Sequence, residues 1–211
     1  MGELAALRAR LSALLPGAGE ALSVDPGTGE RTLNLSGFTL TTSQTGRLVS
    51  MSGLEPLHVL ILDGSPLGVA GAMAIVEARQ LQRLHTLSMS RCKLTDAVVQ
   101  VLAAAPSHAS LRTLRLAGNG LGDAAVHAVT DSVHLRQLTH LDLSDNRITD
   151  LGARYLAAAP GVRQLRALEL SGCAITEHGR KLLFYSHSLA FVIRTRFDPA
   201  RNGSKTPRND G

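Results

Sequence analysis

The sequence has no tryptophan, two tyrosines and four phenylalanines, so aromatic residues make up only 3% of it. That scarcity argues against a nucleic-acid groove in which bases stack on aromatic side chains. There are two cysteines and no CxxC pair, which excludes a zinc ribbon or a dithiol redox centre. No run of 18 apolar residues occurs, so no stretch is suited to crossing a membrane as a helix. The opening residues, MGELAALR, lack a basic start followed by an apolar run, and no secretory signal is expected. Ala6 stands where an N-myristoylation pattern wants Ser or Thr. Also missing are a GxxxxGK[ST] phosphate loop, an HExxH helix and a GxSxG elbow. Gly118-Asn-Gly120-Leu-Gly122 has the glycines of a phosphate loop but no following lysine, and is read as a turn. The eight histidines are scattered without metal-ligand spacing. No metal or cofactor is therefore expected.

What is present is leucine, in a fixed phase. The segment Leu138-Thr-His-Leu-Asp-Leu-Ser-Asp-Asn146-Arg-Ile148 has the pattern LxxLxLxxNxI. Stepping back from Asn146 by 27 residues gives Asn119, Cys92, Ser65 and Phe38, and one step forward gives Cys173. The same leucines travel with each step: Leu111, Leu114, Leu116 and Leu121 around Asn119, or Leu84, Leu87 and Leu94 around Cys92. The first copy is worn, keeping Leu33, Leu35 and Leu40 but placing Glu30 at the opening leucine. Six copies without insertion or deletion predict a solenoid.

These motifs resemble the leucine-rich repeat family, in its long-repeat forms. Ser90-Arg-Cys92-Lys-Leu-Thr-Asp96 is similar to the cysteine-containing type. Asp145-Asn146-Arg-Ile-Thr-Asp-Leu-Gly152 is similar to the ribonuclease-inhibitor type. The resemblance covers roughly residues 30 to 190. It implies an α/β horseshoe with a parallel concave sheet and convex helices, and it implies protein–protein recognition without naming a partner.

Each copy divides into a strand half, LxxLxL, and a helical half. The helices are expected near 43–52, 69–82, 95–105, 122–134, 149–159 and 176–186. Capping groups such as Thr149-Asp150 open them, and Pro106 and Pro160 close two of them. Residues 1–29 read as an amphipathic capping helix followed by a turn-rich linker, and 30–188 as the repeats. Residues 189–197 read as a capping strand, with Phe184, Tyr185, Phe191 and Phe197 as a plug, and 198–211 as a disordered basic tail. Capped ends argue for a monomer. Cys92 and Cys173 share a ladder position three strands apart, about 14 Å at the usual strand spacing. A disulfide cannot span that distance, and two unpaired thiols suit an intracellular, cytoplasmic setting.

Because strand side chains alternate, the outward rows of the sheet can be read from the pattern. Between the last two leucines the row runs Asn34, Ile61, Ser88, Arg115, Asp142, Glu169. Two residues earlier it runs Thr32, Val59, Thr86, Thr113, His140, Ala167. The face should carry an apolar spot at Val59 and Ile61, a hydroxyl-rich middle near Ser88, and a charged cluster of Arg115, His140, Asp142 and Glu169. Arg91 stands at the end of the middle strand. Three readings of the cluster stay open. Arg115 and Asp142 form a surface ion pair, or the cluster recognises a protein, or His140 and Asp142 act as acid and base.

The net charge is +5, with −2 over residues 1–30, +4 over 31–193 and +3 over 194–211. The function this supports is a non-enzymatic protein-binding scaffold or adaptor using the concave strand face. A second class is a subunit of an RNA-containing or cytoskeletal assembly, in which Arg91, Arg112, Arg115, Arg194, Arg196 and Arg208 meet phosphates or acidic tails. A third is a regulator of an enzyme such as a GTPase. Nucleic acid is the less favoured partner because the basic residues are not interleaved with aromatics.

Overall fold

The computed structural model describes residues 2–189. Each LxxLxL segment becomes one short strand and the residues after it one helix. The strands are β1 Leu22–Val24, β2 Arg31–Asn34, β3 Val59–Ile61, β4 Thr86–Ser88, β5 Thr113–Arg115, β6 His140–Asp142 and β7 Ala167–Glu169. They form one open sheet in sequence order. From β2 to β7 the pairing is parallel, and the register joins Leu33, Leu60, Leu87, Leu114, Leu141 and Leu168 in one line. All six are buried. The exact repeat length is what keeps that line straight, since a one-residue slip would turn the leucines outward.

The helices are α1 Glu3–Leu14, α2 Thr42–Val49, α3 Gly68–Val76, α4 Asp96–Ala104, α5 Asp123–Asp131, α6 Asp150–Ala158 and α7 Glu177–Phe184. Apart from α1, each follows one of the strands β2 to β7, and together they make the convex layer. Small buried residues, Ala72, Ala103, Ala125 and Ala153, let them approach the sheet. The helices are shorter than the pattern suggests. The expected helix over 69–82 divides into α3 and a 3₁₀ turn, Arg79–Leu81. As expected, α4 and α6 end just before Pro106 and Pro160, with Ala105 and Ala159 extended ahead of them, and the same prolines begin the 3₁₀ turns Pro106–His108 and Pro160–Val162. A proline's fixed φ and missing N–H suit the first position of a helical turn.

At the N-terminal end α1 buries Leu7, Leu11 and Leu14, and Arg8 Nη2 donates to Leu22 O at 2.9 Å. The stretch read as a linker also contains a strand. β1 runs antiparallel to β2, with Leu22 opposite Leu33. Asp25 Oδ1 closes the hairpin loop by accepting from Gly27 N at 2.9 Å and Thr28 N at 2.7 Å. Three residues are too few to show an alternation, so only the turn was legible beforehand.

At the other end Leu189 is buried. The rest of the expected capping strand, and the tail over 198–211, lie outside the described residues. Tyr185 does not plug the core. It is 74% exposed, with its ring edge-on to Phe184 at 5.2 Å.

Candidate protein-binding face

Two ladders of polar side chains hold the strands and helices in place. The first is the expected one. Asn146 is 5% exposed, and its Oδ1 accepts from Asn119 N at 3.1 Å and Leu121 N at 2.9 Å. Its Nδ2 donates to Leu116 O at 3.1 Å and Leu143 O at 2.9 Å. Asn119 repeats this one rung earlier, accepting from Cys92 N at 2.9 Å and donating to Met89 O at 2.9 Å. Cysteine and serine do part of the work: Cys92 Sγ donates to Leu62 O at 3.0 Å and Ser65 Oγ to Leu35 O at 3.2 Å. Phe38 has no polar side-chain atom and packs half-buried against the core. Burial, with Asp63 adding to it, pushes the Cys92 thiol up to about 12. Burial also raises the Cys173 thiol. Both cysteines are free. Held as neutral thiols, they serve as packing and hydrogen-bonding groups rather than nucleophiles.

The second ladder is made by the first-turn aspartates. Asp123 Oδ1 accepts from Thr149 N at 2.8 Å and Gly152 N at 2.9 Å, and Oδ2 accepts from Thr149 Oγ1 at 2.6 Å. Asp150 holds Thr176 in the same way. The Thr176 hydroxyl is the largest of the influences that keep the Asp150 carboxyl below the usual carboxylate range. Asp96 Oδ1 accepts from Gly122 N at 2.9 Å. Each aspartate therefore caps the next repeat's helix as well as starting its own.

The outward face of the sheet is less even than the pattern suggests. Val59 is buried and Ile61 half-buried, so the apolar spot is mostly covered. Ser88 is fully buried and is not a surface contact. Its hydroxyl donates to Asp63 Oδ1 at 2.6 Å, and Ser90 N donates to the same oxygen at 2.8 Å. The hydroxyl-rich middle is thus satisfied from within. Arg115 and His140 are exposed, and Asp142 and Glu169 are half-buried. Arg115 pairs in register with Asp142, and Asp142 with Glu169. No ion pair joins Arg115 to Asp142. Asp142 Oδ1 instead accepts from Ser144 N at 3.0 Å and Ser144 Oγ at 2.6 Å. Arg91 lies on the turn leaving β4, exposed, with φ at +55°.

Residues 107–129 and 134–157 match the model of the leucine-rich repeat family. Together with the strand-and-helix periodicity above, that decides the matter. The chain is a leucine-rich repeat protein. Its fold is similar to that of an internalin C2 from Listeria monocytogenes, with a TM-score of 0.51 and 20% identity, covering 88% of this chain and 71% of that one. An internalin InlF from the same organism has a TM-score of 0.43 and 17% identity, covering 82% of this chain and 55% of that one. A comparison with curated protein sequences returns no match.

Two features of this leucine-rich repeat protein were readable in the sequence but not drawn from it. Asp96, Asp123 and Asp150 recur at the repeat interval. Their phase signals a contact between repeats, whereas a helix-dipole role explains each one alone. Residues 37, 64, 91, 118, 145 and 172 form a second row, Gly, Gly, Arg, Gly, Asp, Gly, and all six have φ between +54° and +76°. The turn needs the left-handed conformation, which glycine adopts freely and other residues adopt at a cost. Arg91 and Asp145 are the exceptions. No helix among the described residues is long and apolar enough to cross a membrane.

Proposed function

We propose that this leucine-rich repeat protein is a non-enzymatic binding module, a scaffold or adaptor that presents its concave strand face to a protein partner. The observation that carries this reading is Arg115. It is exposed beside its register partner Asp142 and forms no ion pair among the described residues, so its guanidinium is available. Arginine is a favoured hot-spot residue at protein interfaces. His140, Asp142 and Glu169 adjoin it across the strands, Ile61 adds apolar surface, and Arg91 stands at the rim. Val59 and Ser88 support the face from beneath. Retention of Arg91 in a left-handed position, where glycine fills four of the six equivalents, fits a residue kept for contact. A strand face of this kind has room for an interface of about 800 Å² per partner. The two free thiols at ladder positions support a reducing, intracellular setting.

The test is a quantitative pull-down from native lysate. Wild type is compared with the triple change Arg115→Ala, His140→Ala, Asp142→Ala after circular dichroism shows both folded. A partner enriched by wild type and lost by the variant supports the concave face. Recovery of the same partners by both overturns it.

A further inference from the structure

On the side where the chain enters the strands, a different row is stacked. Arg31, His58, His85, Arg112, Thr139 and Arg166 follow one another through backbone hydrogen bonds. His58 N donates to Arg31 O, His85 N to His58 O and Arg112 N to His85 O, each at 2.9 Å. Thr139 N donates to Arg112 O at 2.8 Å and Arg166 N to Thr139 O at 2.6 Å. One rim of the sheet therefore carries a guanidinium or an imidazole at five of six consecutive positions.

The first half of the rim is occupied from within. His85 Nε2 lies 3.3 Å from Glu30 Oε2, and His58 Nδ1 accepts from Arg31 N at 3.1 Å. The second half is not. Arg112 and Arg166 are exposed and have no ion-pair partner among the described residues. Between them, Thr139 Oγ1 donates its one proton to Arg112 O at 3.1 Å. Its 2.9 Å contact with His140 Nδ1 must then have the imidazole as donor. That bond fixes the orientation of the His140 ring. Arg136 and Arg163, both exposed, sit one repeat apart in the turns leading into β6 and β7. The acids of this region, Asp142 and Glu169, lie three residues further along their strands, away from the rim. The positive charge is thus concentrated where the strands begin.

We propose that this rim, over β5 to β7, binds an extended acidic segment of a protein partner that runs across the strands with carboxylates three residues apart. The inference rests on the protein-binding reading above and adds the partner's chemistry. Neighbouring strands stand about 4.8 Å apart, so Arg112 and Arg166, two strands apart, are separated by about 10 Å. An extended polyproline-type segment has three residues per turn and rises about 3.1 Å per residue, which puts every third side chain on one face at about 9 Å. Arginine forks take carboxylates two-pronged, so spacing as well as charge is read. The scarcity of aromatic residues disfavours single-stranded nucleic acid as the occupant.

The experiment is fluorescence anisotropy on the full chain with a fluorescein-labelled peptide of four Glu-Pro-Ala triplets. The control peptide has the same composition with its four glutamates contiguous. The triplet peptide should bind several-fold tighter than the control. Arg112→Ala with Arg166→Ala should weaken it by roughly tenfold or more. Arg112→Gln with Arg166→Gln, which keeps the chain stems, should do the same, and Arg47→Ala on α2 should change nothing. Equal binding of the two peptides, or indifference to both double changes, would overturn the proposal. So would an oligouridylate of equal charge that binds tighter and depends on the same arginines. If the peptide behaves as expected while the concave-face triple variant keeps its lysate partners, the concave reading fails and the rim stands. If the triple variant loses its partners while the peptide ignores Arg112 and Arg166, the rim alone fails.

Discussion

Asp123 grips Thr149 with both carboxylate oxygens, one on the backbone N–H at 2.8 Å and one on the hydroxyl at 2.6 Å. It joins one repeat's helix to the next through charge-assisted bonds, which are stronger than neutral ones. Asp123→Ala strips three donors of their acceptor, since Gly152 N is also held at 2.9 Å. The expected loss is about 2 kcal/mol of unfolding free energy, read from urea titration at neutral pH. Asp123→Asn keeps one acceptor oxygen and should lose less. An alanine variant as stable as wild type would show that the contact contributes nothing net.

Arg91→Gly should stabilise the protein while removing a proposed contact. At φ +55° an arginine is held in a conformation that costs an L-residue about 1 kcal/mol, and glycine relieves it. The equivalent turns already use Gly64 and Gly118 with φ +73° and +66°. Thermal melts should rise by a few degrees while partner capture falls. A lower melting temperature would mean that the arginine side chain holds the turn together.

His108 is fully buried, and its Nε2 lies 2.8 Å from Val76 O. A carbonyl only accepts, so Nε2 carries the proton and Nδ1 has no partner among the described residues. Burial holds its pKa below the usual histidine value. The unfolded chain therefore takes up a proton that the folded chain resists. Stability is fully present above the unfolded value, about 6.5, and is lost as pH falls below it. Urea midpoints compared at pH 7.5 and pH 5 should drop more for wild type than for His108→Gln. Equal drops would assign the effect to other histidines.

The fold was legible because the leucines and the ladder position recur together at a fixed interval. Leu141 and Asn146 could be given their inward directions and ladder role from spacing alone. The β1 hairpin was not legible, because it is too short to alternate. The strand face was legible only in part. Alternation correctly set Arg115 and His140 outward. It also set Ser88 outward, where Asp63, just past the end of β3, draws it in, and it left open an ion pair between Arg115 and Asp142, whose carboxylate turns to Ser144 instead. These outcomes depend on competition between side-chain partners, which periodicity does not encode. The rim of Arg112 and Arg166 was in the sequence as separate arginines. The repeat interval places them on either side of Thr139, but only the structure shows that neither has an ion-pair partner among the described residues.

The rungs of the asparagine ladder are not equal. The Phe38 side chain bonds nothing, Ser65 and Cys173 each reach one carbonyl of the preceding repeat, and Asn119 and Asn146 each tie several backbone groups of the preceding repeat to their own. In a molecule where each layer touches only its neighbours, such a gradient sets where it yields. Pulled from either end, the chain should peel layer by layer and stall at the asparagine pair. The two amides make a hinge-free spine, and the ends are left as the part a partner can reshape.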